Sequence, residues 1–125
     1  MKTKGYLLDT NICISMLKNK YGVREAILKA KAENCYVSEI TLGELYFGAS
    51  FSDNKKERFK VISVSGTLPL FGDIKATLKR KGPLIDDFDI LIGCAAIHNN
   101  LILVTDNIKH LERLPGIFIE NWTVR

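Results

Sequence analysis

The stretch "FDILIGCAAIHNN", residues 88–100, limits the fold more than any other. Read as a helix it is apolar nearly all round, so it must lie at the centre of the molecule and be buried. Its longest apolar run, "ILIGCAAI" at 90–97, falls far short of the ~20 residues that cross a bilayer. Directly after it comes "LILVT" at 101–105, a short and fully buried strand. A buried helix that feeds a buried strand points to a parallel sheet covered on both faces.

The rest of the chain alternates in the same way. Tyr6 to Leu8, "CYVS" at 35–38 and "IFIENW" at 117–122 read as strands. Helices are predicted from Ile12 to about Lys18, and over Val23 to Glu33 with an apolar stripe of Val23, Ile27, Leu28 and Ala30. Another runs from Thr41 to Ala49, with Thr41 and Glu44 in capping-box spacing. "LFGDIKATLKRKG" at 70–82 is a helix closed by Gly82 and Pro83, and "IKHLERL" is a short one. "KKERFKVIS" is a basic helix or the start of a strand. The fold class is α/β with a mostly parallel central sheet flanked by helices, and no linker divides residues 1–125 into more than one domain.

Composition narrows the function less. Hydrophobic residues at 46% and charged residues at 26% are those of an ordinary soluble protein. Lys plus Arg exceed Asp plus Glu by 18 to 14, a balance compatible with a polyanionic partner. Cys13, Cys35 and Cys94 sit in apolar stretches without CxxC or His spacing, so they read as buried free thiols in a reducing cytoplasm rather than zinc ligands. "MKTKGYLLDTN" has no apolar h-region, so neither a signal peptide nor a membrane span is expected, and the location expected is cytoplasmic.

The chemistry lies in the acids. In an open α/β sheet, ligands bind beyond the carboxyl ends of the strands, where strand order reverses. Asp9 ends the first strand, and Asp106 with Asn107 follows "LILVT". Glu44 lies in the helix after "CYVS", and Asp86, Asp87 and Asp89 open the buried helix. Each has a plain alternative as a helix cap or turn residue, because acids are favoured at helix N-termini. Four such coincidences at strand-to-helix junctions point instead to one pocket. Carboxylates gathered there raise one another's pKa and cost stability unless a cation sits among them. A set of oxygen ligands without His or Cys selects a hard ion, Mg²⁺ or Mn²⁺. Such ions serve phosphoryl chemistry, and a basic chain with such a site suggests a nuclease.

"LLDTN", "SEITLGEL", "PLIDDFDILIGCAAIHNNLILVTDN" and "HLERLPGIFIENW" together resemble the PIN-domain ribonucleases, specifically the VapC-type toxins of bacterial toxin–antitoxin pairs. The similarity runs from Tyr6 to Trp122. It implies a PIN-like (Rossmann-like) three-layer sandwich and a Mg²⁺-dependent endoribonuclease. It also implies a homodimer, and a cognate VapB-like antitoxin that blocks the site. By position, Asp9, Glu44 and Asp89 match the family's catalytic, metal-binding acids. The family's fourth acid falls two residues after the threonine of "LVT", where this chain has Asn107, with Asp106 out of register beside it. Thr10, Asn11 and Thr105 match small polar positions that shape the pocket.

The mechanism implied is in-line attack of a metal-oriented water on an RNA phosphodiester. Flanking phosphates would be held by Lys55, Lys56, Arg58 and Lys60, or by Lys75, Lys79 and Arg80. His98 and His110 read as structural. Asn107 is expected to face the pocket, in register with Leu101, Leu103 and Thr105, while Asp106 leans away and caps "IKHLERL". The rival readings are a receiver-like signalling domain, a haloacid-dehalogenase-type phosphatase, and a binding-only relative with a silent site. A receiver needs paired acids after its first strand, and the phosphatase needs a second acid where Asn11 stands.

Overall fold

A computed structural model describes residues 5–48 and 59–125. Ala49, Lys55, Lys56 and Arg58, all named above, lie outside the described residues. Five strands form one sheet: β1 (Tyr6–Leu8), β2 (Cys35–Ser38), β3 (Lys60–Ile62), β4 (Ile102–Val104) and β5 (Ile119–Glu120). Their order is β3-β2-β1-β4-β5, and every neighbouring pair is parallel. The chain first builds outward from β1 to β3, then crosses back to place β4 on the other side of β1. Strand order therefore reverses between β1 and β4, which opens a crevice beyond their carboxyl ends.

The helices are α1 (Thr10–Leu17), α2 (Val23–Ala30), α3 (Glu39–Phe47), α4 (Leu68–Lys81), α5 (Asp87–His98) and α6 (Ile108–Leu111). Successive strand residues point to opposite faces, and the core divides accordingly. Leu7 and Leu103 pack with Ile74 and Leu78 of α4, Ile90 and Ile92 of α5, and Leu111 of α6. Leu8 and Val104 pack on the other face with Ile12, Cys13 and Met16 of α1, Val23 and Ile27 of α2, and Leu45 of α3. Three layers result, as the alternation of strands and helices predicts. From Ile90 to Ala96 only Leu91 is not fully buried, so α5 is the central helix expected. Gly93 makes that depth workable: a Cβ there would sit 2.5 Å from Leu114 Cδ2.

The structure departs from the sequence reading at several ends. The second helix stops at Ala30 rather than Glu33, because Lys31 takes φ 78 and a 3-10 turn covers Ala32–Asn34. This turn delivers Cys35 into register with Tyr6, and Asn34 Nδ2 closes the helix by donating to the Ala30 carbonyl (2.9 Å). The last strand shrinks to Ile119–Glu120, since β4 offers partners only at Leu103 and Val104. Beyond it Trp122 turns to meet Tyr6 edge-on, with ring centroids 5.0 Å apart. The three cysteines are free and buried, as expected, and burial pushes their thiols up, Cys35 and Cys94 to about 11. Among the described residues no helix is long and apolar enough to cross a membrane.

Candidate active site at the switch point

Sheet register brings the first acid to its place. Leu8 pairs with Val104, and the next backbone bond runs from Asp9 N to the Val104 carbonyl (2.9 Å). Asp9 and Thr105 therefore stand side by side just past the last paired residues of β1 and β4. Thr105 Oγ1 donates to Asp9 Oδ2 (2.7 Å), and Thr10 N donates to Asp9 Oδ1 (2.8 Å). Asp9 is the N-cap of α1 and is only 4% exposed. Burial raises its pKa; the bonds from Thr105 and Thr10 oppose that, while the charges of Glu44 and Asp106 add to it.

Glu44 arrives from α3 along a line of hydroxyls. Thr10 Oγ1 donates to Glu44 Oε1 (2.5 Å) and lies 3.0 Å from Thr41 Oγ1, so that proton must come from Thr41. Ser38 Oγ in turn donates to Thr41 Oγ1 at 3.5 Å. Ser38 and Thr41 are completely buried, and each hydroxyl hydrogen points toward the carboxylate end of the line. This corrects the capping box read at Thr41 and Glu44. The cap of α3 is Ser38, which accepts from Thr41 N at 3.1 Å, and the helix begins two residues earlier than predicted. Glu44 lies too deep in α3 to be a cap partner and is left for the pocket. The sequence reading missed Ser38 and the supporting role of Thr41; the S-x-x-T spacing at 38–41 was the available signal.

Asp89 comes from the first turn of α5. Asp86 is the cap there, accepting from Phe88 N at 3.0 Å, and Asp87 pairs with Lys75 at 2.9 Å. Neither duty falls to Asp89. Its carboxyl is pushed up from 3.8 to about 6, first by burial and then by the charges of Asp9, Asp86 and Glu44, with His110 opposing. Asn107 Nδ2 approaches Asp89 Oδ2 at 3.4 Å. Asn107 thus faces the pocket as expected, but by a different route. The strand ends at Val104, and a turn closed by Asn107 N donating to Thr105 Oγ1 (3.0 Å) swings the amide inward. Asp106 leans away, also as expected, yet it caps nothing. It accepts from Arg125 Nη2 at 2.7 Å, and that guanidinium lies 4.1 Å from the centre of the Tyr21 ring.

Asp9, Glu44, Asp89, Asn107, Thr10 and Thr105 are therefore brought together, and Asn11 lines the groove beside Glu44. Among the described residues the acids do not close on one another as a preformed ligand cage. The charge of Glu44 raises the carboxyls of both Asp9 and Asp89, that of Asp9 adds to Asp89, and no Lys or Arg among the described residues pairs with any of the three. Both basic side chains that pair at this rim, Lys75 and Arg125, are held by Asp87 and Asp106. An all-oxygen donor set with negative charge left uncompensated fits a divalent cation.

The family profile of the PIN domain matches residues 6–116. The chain belongs to the PIN-domain family. Ribonuclease VapC2 of Rickettsia felis is 35% identical to this PIN domain, over 94% of this chain and 97% of its own. The tRNA(fMet)-specific endonuclease VapC of Salmonella typhimurium is also 35% identical, over the same shares. Among solved structures, DNA-bound VapBC from Salmonella typhimurium superposes with a TM-score of 0.84 at 32% identity, covering 94% of this chain and 98% of that one. VapBC2 from Rickettsia felis, bound to a promoter DNA fragment, gives 0.79 at 34% identity with the same coverage. The resemblance drawn from the four motifs is thereby established, and the receiver and phosphatase alternatives fall away.

Proposed function

We propose that this VapC-type PIN domain is the toxin of a toxin–antitoxin pair, an endoribonuclease that hydrolyses RNA phosphodiesters with Mg²⁺ at the acidic pocket. The observation that carries the reading is the uncompensated group of Asp9, Glu44 and Asp89 at the carboxyl ends of β1 and β4. Asp9 and Asp89 would hold the ion, with Glu44 joining directly or through water. When bound, a hard divalent cation activates water and neutralises charge on a phosphate, with Mn²⁺ as an alternative ion.

The chain's own residues supply the rest. Thr105 fixes the rotation of Asp9 with one hydroxyl, which also pins the Asn107 turn. Ser38, Thr41 and Thr10 orient Glu44, and their bonds hold without any ligand. Asn107, as a neutral amide, is suited to hold a water rather than the ion. Of the predicted phosphate contacts among the described residues, Lys75 pairs with Asp87, two residues from Asp89, whereas Lys60 lies over the Tyr36 ring. The relatives' names include a tRNA-specific endonuclease, and the solved relatives are VapBC complexes. These names support RNA as substrate and a VapB-like antitoxin as partner in this reading, and we place the protein's action in the cytoplasm as part of the same proposal.

Cleavage of RNA by the purified chain, freed of antitoxin, tests the reading. Mg²⁺ should be required, and Asp9→Asn or Asp89→Asn should each lower cleavage by at least about 100-fold, since even outer partners of a metal site are worth ~10–100-fold. Asn107→Ala should cost roughly tenfold, and Asp106→Ala far less. Cleavage that survives chelator, or survives both acid substitutions, would defeat the assignment.

A further inference from the structure

We propose that Phe88 and Phe47 form a stacking wall for a nucleobase next to the scissile phosphate. Beside the acids runs a groove of about 710 Å³, within the ~300–1,000 Å³ that holds a compact organic ligand. Thr10, Asn11 and Ile14 of α1 line it, with Glu44 and Phe47 of α3 and Phe88 of α5. Thr10 and Glu44 belong also to the acidic pocket, so groove and pocket are continuous. Phe47 is 94% exposed and Phe88 48% exposed. A single exposed apolar side chain needs no explanation. Two phenyl rings opening into one groove, beside catalytic acids, do.

The groove's charge decides which part of a nucleotide enters it. Among the described residues that line it, the charged ones are Glu39 and Glu44, and none is Lys or Arg. A phosphate is repelled there, whereas a neutral base is not, and every base has a face that stacks on an aromatic ring. The backbone that carries Phe88 is also held in advance. The Phe88 N–H is tied to Asp86, and the flanking Asp87 is tied to Lys75, so the first turn of α5 is fixed before any ligand arrives. A base in a duplex is already stacked on both sides, so this wall acts only on an unpaired nucleotide.

The proposal rests on the ribonuclease reading, and one set of measurements separates the two. The probe is a synthetic RNA hairpin with 2-aminopurine in its loop, bound with Mg²⁺ by the full chain carrying Asp9→Asn to prevent cutting. A fully paired duplex serves as control. Adding Phe88→Ala or Phe47→Ala should weaken hairpin binding roughly tenfold, the size of one lost base–aromatic stack, and reduce the fluorescence quench. Duplex binding should not change. Phe88→Trp should restore both readouts, and Phe88→Leu neither. Phe47, exposed as it is, can be removed without opening the core, which melting of the variant verifies. Hairpin binding by Phe88→Leu equal to that of the Phe88 protein, or equal losses on hairpin and duplex, would overturn the stacking wall. So would Phe variants that bind RNA normally but escape inhibition by the antitoxin, which would make the groove a protein-docking surface. If the chain with Asp9 intact does not cleave RNA, the ribonuclease reading fails and the wall with it; if it cleaves and the Phe variants match it, only the wall fails.

Discussion

The N-termini of α1 and α5 deliver an acid to the same pocket by opposite means. At α1 the cap and the site acid are one residue: Asp9 accepts from Thr10 N, takes the Thr105 hydroxyl, and is buried. At α5 these duties are divided. Asp86 caps, Asp87 pairs with Lys75, and Asp89 is left half-buried with one long contact from Asn107. A carboxylate held by short bonds from buried donors is fixed in orientation but cannot be removed without stranding those donors. A carboxylate relieved of local duties is freer to meet a ligand, and its charge is a cost to the empty fold. The pocket thus combines one anchored acid with one poised acid.

The contrast breaks most sharply on removal of the side chains. Asp9→Asn keeps an acceptor for its neighbours, whereas Asp9→Ala strands the buried Thr105 hydroxyl. We expect Ala to be less stable than Asn at position 9 by about 2 kcal/mol, measured by thermal or urea unfolding in chelator. At position 89 the same pair should differ by less than about 0.5 kcal/mol, the range of substitutions away from buried features. Equal differences at the two positions would erase the distinction between anchored and poised acids.

A smaller effect comes from pH. The Asp89 carboxyl is raised from 3.8 to about 6 in the fold, so the folded protein favours its neutral form. That stability is fully present below about pH 4 and is lost as pH rises through about 6. In chelator, the chain should therefore lose stability relative to Asp89→Asn between those values. The loss should be on the order of 1 kcal/mol once its partial exposure is discounted. The raised pKa of Asp9 acts in the same direction. A divalent cation should cancel most of the loss. A difference that stays flat from pH 4 to 7 would remove the claim that the empty pocket is strained by its own charge.

The smallest effect sharpens the division within α5. Asp86→Ala should cost about 0.5–1 kcal/mol through loss of an exposed cap, with RNA cleavage nearly unchanged. Asp89→Ala should show the reverse pattern. If Asp86→Ala abolishes cleavage without loss of stability, the two acids have been assigned the wrong roles.

Local pattern decided much of this protein. The apolar helix at 88–100, the buried "LILVT" and the strand–helix alternation specify an α/β sandwich, because side-chain periodicity and burial are properties of neighbouring residues. Asp9 and the group Asp86, Asp87 and Asp89 are legible in the same way, as acids at strand-to-helix junctions or helix starts, whereas Glu44 within α3 and Asp89 within its group are singled out by the family resemblance. Other features depended on contacts between distant segments, and only the tertiary structure decided them. Lys31 breaks α2 because β2 must meet β1 in register, a demand placed by residues far away in the chain. The cap of α3 is Ser38, whose spacing competes on equal terms with that of Thr41 until the buried line from Ser38 to Glu44 is seen. Asp106 and Asn107 are neighbours with interchangeable turn chemistry. Their separate fates were set by Arg125 on one side and Asp89 on the other, because a turn, unlike a strand, has no periodicity from which a side chain's direction can be read.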